Sequence, residues 1–567
     1  MEVAEDLMAH FQDGARSGKS FKSLIGSFGE PEIVAKLIRN SKLRSRSMFA
    51  KVLKATMVGG GLMGLVYAGI AMFFSMGVPN PSTDFLAVIN SNQIEVAEED
   101  SGWSVYRESW SRHGFCEGRN RHFEEIYLDK EGSSRLVKPA DDGWDAAITK
   151  LSDSQDLLAA LRKGAKRPFL GLVLQSDRSK YSDQDFAALF PHLNKEDLGP
   201  DDNYTGIAGF SDEDNEVLGG CLALIQLPHI QSFRKAARIL VVDTRWAIEQ
   251  DDIERAARNI EAIFGLANQA SDSHCLVCDL VGFAISNIGF DLLDEVLSDD
   301  TDLFDDAQLT RIQSAVANSD FENWIQFDAE RAMMHDLIQR VYTDDGSGDG
   351  HMTSVGFMFC QFSGLFNSSS GEESGFAEMF ASPNSLTAPV SLLFVASRKQ
   401  MLAKLDELYD EVDKRFSSPI YEDDMEDLEN FFGETSTEFF LISNNISAFI
   451  RPIRKSRDRQ IGNRNGILVA IAAHRHRLEH GEWPDSLENL ADDLLPLVPA
   501  DVCNGQALKY KLSEDGFIVY STGIDGDDDG GVRQAIDPEV TSFSRADFNP
   551  WDSDKDGDWV LWPAQSE

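Results

Sequence analysis

The most apolar stretch of the chain runs from Ala55 to Thr83 and carries no charged residue. Its apolar core, Met57 to Val78, is long enough to cross a bilayer core of about 30 Å as a single helix. A buried helix of a soluble domain is the alternative, and a cleaved signal peptide fits poorly because a long segment precedes the run. The pattern therefore predicts one transmembrane helix.

The residues before this run indicate its orientation. All charged side chains from residue 36 to residue 54 are basic, namely Lys36, Arg39, Lys42, Arg44, Arg46, Lys51 and Lys54. Basic residues beside a membrane span tend to stay in the cytoplasm. We therefore expect residues 1–54 inside, and the bulk of the chain in an extracytoplasmic compartment.

Helical periodicity dominates the middle of the chain. Two amphipathic segments flank a turn near 249–252, as in a helical hairpin of the tetratricopeptide kind, and further helices are predicted at 275–297, 307–317, 321–342 and 390–416. No strict repeat length is present, so residues 231–442 are interpreted as an irregular helical array. Residues 84–230 give a mixed pattern, in which 169–177 and 219–230 fit either strands or short helices. Within that region Trp103, Tyr106 and Trp110 share one helical face that is typical of a core.

The pattern changes again near the carboxyl end. A long helix through residues 466–480 stops at Gly481, and Asp485 to Glu488 has the sequence of a helix-capping box. Two alternating segments, 507–512 and 517–523, flank Asp515-Gly516, which predicts a β-hairpin. We therefore expect an α+β module at 443–567.

The composition narrows the function classes. The formal net charge is −43, and the first 54 residues are net basic. The remaining surface is strongly acidic and lacks the clustered cations that phosphate groups require, which excludes nucleic acid as a partner.

The carboxyl-terminal module carries the motifs HGEWPDSLENL (480–490), VPAD (498–501), NGQALKY (504–510) and YSTGIDGDDDGG (520–531). In order and spacing these resemble the globular domain of the major pseudopilins of type II secretion. The resemblance implies an assembly role in the bacterial envelope and a loop that binds calcium. The chain departs from that family because its apolar span lies far upstream and has no glutamate near its start.

The first 40 residues carry EDLxxH (5–10), GKS (18–20) and FGEPE (28–32). They resemble the small helical prefix domain, of the permease-prefix or HAAS type, that precedes membrane spans in bacteria. The resemblance implies a regulatory or protein-interaction module in the cytoplasm. A generic three-helix anchor is the alternative.

Two acidic loops are candidate calcium sites, because carboxylate oxygens are the ligands that a hard cation prefers. The first loop supplies Asp525, Asp527, Asp528 and Asp529 after the predicted hairpin. The second loop supplies Asp552, Asp554 and Asp556 and opens like an EF-hand loop, although Pro563 occupies the position of the usual bidentate glutamate. A solvated acidic surface that binds no ion is the alternative.

Two further motifs have a chemical and a structural interpretation. His476, Glu479 and His480 form H-x-x-E-H, which occurs in zinc peptidases, but they lie at the end of the predicted long helix, where basic side chains are favourable anyway. Cys275 and Cys278 form C-x-x-C without a surrounding β-α-β pattern, so two buried core cysteines are expected rather than a thioredoxin-like site. We expect no enzymatic activity.

The sequence thus predicts a mainly α fold with a C-terminal α+β module. The predicted divisions are a cytoplasmic helical prefix (1–54), a transmembrane helix and its exit (55–83), a mixed or irregular region (84–230), a helical array (231–442) and a pseudopilin-like module (443–567). The favoured function is interaction or assembly in the bacterial inner membrane, with secretion or envelope proteins as partners. A prefix-linked signalling protein and a zinc hydrolase are the alternatives.

Overall fold

A computed structural model describes the chain at residues 2–45, 48–116, 121–127, 136–198, 217–218, 220–362, 388–419, 421, 437–491, 494–495, 498–513, 516–533 and 557–563. The fold is mainly helical, with a small three-stranded antiparallel sheet near the carboxyl end. The chain separates into two compact units, Met1–Phe73 and Phe74–Glu567.

The first unit contains three short helices and one long apolar helix, Glu2–Arg16, Phe21–Phe28, Pro31–Ser45 and Met48–Phe74. The side chain of Ser20 accepts a hydrogen bond from the backbone N–H of Ser23 and thereby caps the second helix. The apolar helix ends at Phe74, four residues before the predicted limit at Val78, where Gly77 and the following prolines disfavour a helix.

Residues 84–230 are helical and irregular in their described part, and no strand occurs there. The described helices are Leu86–Ile89, Trp103–His113, Arg121–Tyr127, Trp144–Asp153, Gln155–Gly164 and Asp183–Leu189. In their described part, the two ambiguous apolar runs form extended chain and a 3₁₀ turn, and Phe169 forms an isolated bridge with Ser101. Trp103, Tyr106 and Trp110 are buried on one helical face, as predicted.

The centre of the second unit is a helical array. Its helices are Pro228–Glu249, Ile253–Ser271, Leu276–Asp299, Asp306–Ala317, Phe321–Trp324, Asp328–Val341, Ser354–Phe362, Ala388–Ser391 and Arg398–Phe416. The predicted hairpin around 249–252 is confirmed, since the first two helices pack together along their length. The single helix predicted at 321–342 is wrong, because the chain unwinds between Trp324 and Asp328 and buries Ile325 and Phe327 instead.

A buried polar group joins the two helices of the hairpin. The carboxylate of Asp243 accepts hydrogen bonds from Asn259 at 2.7 Å and from Arg162 at 3.0 Å. A buried charge is stable only when it is paired and hydrogen-bonded. These contacts fix the register of the helical pair and attach the helix Gln155–Gly164 to it.

The long C-terminal helix, Phe440–His480, connects the array to the sheet. It packs on the helices Leu276–Asp299, Asp306–Ala317 and Phe321–Trp324, and on the strands Gly516–Ser521 and Trp559–Trp562. It ends at Gly481, whose φ of 80° is the left-handed conformation expected at a helix carboxyl end. The capping box predicted at 485–488 does not form, because Ser486 precedes a 3₁₀ turn and its hydroxyl donates to the side chain of Asn489.

The sheet contains β1 (Lys509–Ser513), β2 (Gly516–Ser521) and β3 (Trp559–Trp562), in that order and antiparallel. The predicted hairpin is confirmed by the pairing of Lys509 with Tyr520 and of Ser513 with Gly516, and Asp515 of its turn lies outside the described residues. The third strand was not predicted. It approaches the long helix closely, since a Cβ at Gly462 would lie 2.2 Å from the Trp559 ring.

Candidate functional site

The best-formed polar site on the C-terminal module lies where β2 ends and the acidic loop begins. The loop follows Ser521 and runs through residues 524–531, with a positive φ at Gly526, Gly530 and Gly531. Glycine adopts this backbone conformation at little cost, which lets the loop turn back toward β3. The loop therefore returns its second half to the sheet edge and leaves its first half in solvent.

The first half of the loop holds two of the predicted ligands apart from the others. Asp525 and Asp527 are exposed, and the Asp525 carboxylate accepts a hydrogen bond from the backbone N–H of Asp527 at 3.3 Å. Such a contact is a local turn within the loop. These two side chains are placed away from the sheet.

The second half of the loop brings Asp528 to the surface of the hairpin. One oxygen of Asp528 accepts hydrogen bonds from the Tyr520 hydroxyl at 3.0 Å and from the Gly530 N–H at 3.1 Å. The other oxygen lies 3.4 Å from the Lys509 Nζ. The backbone hydrogen bond from Gly530, together with those contacts, lowers the pKa of Asp528, so the side chain is ionised near neutral pH.

A further carboxylate, Asp558, meets the loop from the start of β3. Its side chain is buried, and its Oδ2 accepts a hydrogen bond from the Gly531 N–H at 2.7 Å. Its Oδ1 is buried and has no hydrogen-bond partner. Burial raises the pKa of Asp558, and the nearby negative charges of Asp528 and Asp529 raise it further. Asp528 and Asp529 therefore lie near enough to Asp558 for their charges to act on it.

A second buried carboxylate, Asp501, supports the base of the loop. Its Oδ1 accepts hydrogen bonds from the Ser521 hydroxyl and the Cys503 N–H, both at 2.8 Å. Asn504 donates to its Oδ2 at 3.1 Å and to the Thr522 hydroxyl at 3.0 Å. Burial raises the pKa of Asp501. These contacts tie the segment before β1 to the end of β2 and thereby fix where the loop starts.

The predicted ligand set is therefore divided. Asp528 and Asp529 interact electrostatically with Asp558, Asp525 and Asp527 lie in solvent, and Asp552, Asp554 and Asp556 are outside the described residues. Among the described residues, no three His, Cys, Asp or Glu side chains are arranged to hold a metal ion. Asp501 and Asp558 were not predicted as parts of this site, although Asp501 ends the VPAD motif and Asp558 follows the second acidic loop.

The histidines of the H-x-x-E-H motif adopt a stacked arrangement. The rings of His476 and His480 lie 4.2 Å apart, centroid to centroid, at an interplanar angle of 19°. The Nδ1 of His476 lies 3.1 Å from the Glu482 carbonyl, and that of His480 lies 3.1 Å from the His476 carbonyl. Lone pairs of two stacked rings run parallel, whereas a tetrahedral zinc ion needs them to converge. The absence of peptidase activity stays a prediction.

The prediction that Cys275 and Cys278 are buried core cysteines is confirmed, and the disulfide bond between them was not predicted. Cys275 precedes the first turn of the helix Leu276–Asp299 and Cys278 lies within it. The described chain retains four free cysteines, Cys116, Cys221, Cys360 and Cys503, all buried.

Two described helices, Val52–Phe74 and Leu276–Asp299, are long and apolar enough to cross a membrane. Only 6% of the most apolar window of the first helix is buried, against 61% for the second. Comparison of the chain with protein-family models, with curated proteins and with solved structures finds no match.

Proposed function

We propose that this chain is a single-pass membrane protein whose large second unit acts outside the cytoplasm in protein interaction or assembly. The observation that carries the proposal is the helix Val52–Phe74, which is apolar and almost entirely exposed. An exposed apolar surface of this extent is stable in lipid and unfavourable in water. The other apolar helix, Leu276–Asp299, serves as a core helix, since it packs on its neighbours in the array.

Two further features support the extracytoplasmic placement of the second unit. The basic residues from Lys36 to Lys54 directly precede the apolar helix, which favours a cytoplasmic amino-terminal side. The disulfide between Cys275 and Cys278 belongs to the second unit, and disulfides persist mainly in oxidising compartments outside the cytoplasm. Charge and redox chemistry thus favour the same orientation.

The topology is tested by reporters fused after Glu567. A periplasmic phosphatase reporter should be active in membranes and a cytoplasmic fluorescent reporter should not. The matched control reverses the local charge by Lys51→Glu and Lys54→Glu, which should reduce the phosphatase signal. An active cytoplasmic reporter on the unmodified chain would overturn the orientation and the assembly role outside the cytoplasm.

We propose, secondly, that the acidic loop binds calcium through Asp528, Asp529 and Asp558. The observation that supports it is Asp558 Oδ1, a buried oxygen without a partner beside two further carboxylates. Calcium takes oxygen ligands and would relieve the repulsion of like charges that lie close together. Binding would stiffen the sheet edge, as the resemblance to the pseudopilins implies.

Calcium binding is tested by thermal unfolding of the whole chain in detergent. The melting temperature should be higher in millimolar calcium than in chelator, because a ligand that binds the folded state stabilises it. Asp558→Asn should remove the difference, and the exposed control Asp527→Asn should retain it. A difference that survives Asp558→Asn would place the cation elsewhere, and none in the unmodified chain would overturn the proposal.

A further inference from the structure

The turn that carries the disulfide combines features of a reactive thiol pair. Cys275 is the residue before the helix Leu276–Asp299, and no side-chain capping hydrogen bond occurs at that helix start. The first backbone N–H groups of a helix have no hydrogen-bond partner within the helix. They stabilise a negative charge at the helix start, including that of a thiolate. The start of this helix therefore favours the thiolate form of a reduced Cys275.

The backbone directly before the pair is strained. His274 has a φ of 46°, in the left-handed region that residues other than glycine rarely occupy. Burial lowers the pKa of His274, so its ring is neutral at pH 7, and its Nδ1 is buried without a hydrogen-bond partner. Residues held in such conformations occur often at functional sites.

A buried acid lies against the same helix start. The Oε1 of Glu330 accepts a hydrogen bond from the Leu276 N–H at 2.5 Å, which places this carboxylate beside Cys275. Its Oε2 is buried and has no hydrogen-bond partner. Burial raises the pKa of Glu330 to about 7, so the carboxyl group can gain or lose a proton near neutral pH.

The titratable side chains that act on Glu330 come from two neighbouring helices. Asp279, on the cysteine helix, and Tyr409, on the helix Arg398–Phe416, interact with it electrostatically. Asp279 accepts a hydrogen bond from the Ser271 hydroxyl, and its Oδ2 is buried without a partner. The turn itself carries two titratable residues, Asp272 and His274, and burial raises the pKa of Asp272 to about 6. The pKa of His274 is raised by Asp328 and by a hydrogen bond to the Trp324 backbone, but burial has the larger and opposite effect.

The disulfide lies beneath a surface turn. Val277, between the two cysteines, is 58% exposed, and Leu280 is 39% exposed. A cleft of about 750 Å³ adjoins the turn and is lined by Ser271, Asp272, His274 and Trp324, among others. The cleft therefore gives a small dithiol access to the residues that directly precede Cys275.

We propose that Cys275 and Cys278 form a redox-active pair that accepts electrons from a dithiol, and that Glu330 takes up a proton when the pair is reduced. This activity goes beyond the proposed membrane and assembly role. It requires only the second unit and an external dithiol.

The reaction proceeds by two exchanges. A thiolate of the dithiol attacks the Cys275 sulfur, the Cys275–Cys278 bond breaks, and the Cys278 sulfur takes the electron pair and the proton released by the attacking thiol. The second thiol of the dithiol then attacks the dithiol sulfur that is bonded to Cys275. This closes the disulfide of the dithiol and releases Cys275 as a thiolate. The proton of that second thiol passes to Glu330, and the dithiol leaves as a disulfide.

The test uses the whole chain in detergent, with dithiothreitol as the dithiol. Alkylation followed by peptide mass mapping measures the Cys275–Cys278 pair separately from the four buried free cysteines. We expect reduction of the pair while the near-ultraviolet circular dichroism of the folded chain persists. Reduction that occurs only together with loss of that signal would overturn the proposal and make the disulfide a structural link.

The role of Glu330 is tested by the pH dependence of the same reduction equilibrium. The unmodified chain should show an inflection near pH 7, which Glu330→Gln should abolish. The control Glu407→Gln, in an exposed ion pair with Lys404, should retain it. An inflection that persists in a folded Glu330→Gln chain would overturn the role of Glu330.

A measurement on the unmodified chain keeps the role of Glu330 testable if that variant does not fold. Infrared difference spectra of the reduced minus the oxidised chain at pH 7 should show a gain of protonated carboxyl signal. Absence of that gain would also overturn the proton coupling.

Discussion

Two helices of this protein have nearly the same apolar composition and opposite surroundings. Val52–Phe74 exposes almost all of its apolar surface, whereas Leu276–Asp299 buries most of it among neighbouring helices. The buried helix also carries Asp279, Ser286 and Asp294, each enclosed by the fold. Length and hydropathy alone therefore do not separate a span from a core helix. Buried polar side chains and partner helices identify the core helix.

The largest difference in unfolding free energy between variants of the two helices is expected when one large side chain is removed from each helix. Phe290 is fully buried, and its ring lies 5.4 Å from that of Phe264, centroid to centroid. Phe290→Ala should lower the free energy of unfolding by about 3–5 kcal/mol, because it leaves a cavity. Leu65→Ala, at a position 73% exposed, should change it by less than about 0.5 kcal/mol.

Chemical denaturation of both variants, followed by tryptophan fluorescence, measures this contrast. Equal losses of stability in the two variants would mean that the exposed helix also belongs to a packed core. The proposed membrane span would then lose its main support.

A smaller effect on stability is expected at the start of the core helix, Leu276–Asp299. Its first N–H donates to Glu330, whose pKa of about 7 lies above its ordinary value of 4.5. The folded state therefore binds the Glu330 proton more tightly than the unfolded state does. The protonated carboxyl stabilises the fold fully below pH 4.5, and this stabilisation is lost as the pH rises from 4.5 to 7. Glu330→Gln stays neutral and should gain stability relative to the unmodified chain over this window, on the order of 3 kcal/mol.

Urea unfolding at a series of pH values from 4.5 to 8 tests this expectation. The difference in unfolding free energy between Glu330→Gln and the unmodified chain should rise with pH and level off above pH 7. A difference that is independent of pH would show that the carboxyl group does not titrate in this range.

The smallest contrast compares one glycine in each helix. A Cβ at Gly289 would lie 2.7 Å from the Phe264 ring, so Gly289→Ala should destabilise the fold by about 1–3 kcal/mol. A Cβ at Gly60 meets nothing within 4 Å, so Gly60→Ala should be neutral or favour the helix by up to about 1 kcal/mol. Thermal unfolding of the two variants gives the signs, and destabilisation by Gly60→Ala would indicate a packed partner for that face.

The helices were predictable where the apolar period was regular. The hairpin around residues 249–252, the Ser20 cap and the Gly481 stop follow from local side-chain chemistry, and so does the pairing of β1 with β2. Strand β3 was not predictable, because its partner β2 is distant in sequence and its four residues are all buried, without alternation. The secondary structure of residues 84–230 was not predictable for a similar reason, because tertiary packing determines the short helices there.

The candidate sites were predictable only in part. The acidic loop was visible because its carboxylates are adjacent in sequence, but the convergence of Asp528 and Asp529 on Asp558 depends on β3. Likewise the C-x-x-C motif was visible, whereas Glu330 meets it from a helix more than fifty residues away. Pairs of this kind are created by the fold, and a single sequence carries no local signal for them.

The long helix Phe440–His480 has a mechanical consequence. Its 41 residues span roughly 60 Å at the rise of an α-helix, and its sides contact both the array and the strands β2 and β3. Tension applied to the sheet would act on the array as a shear force along this helix. A shear force is distributed over many side-chain contacts at once. The C-terminal sheet should therefore resist pulling more strongly than a domain attached through a flexible linker.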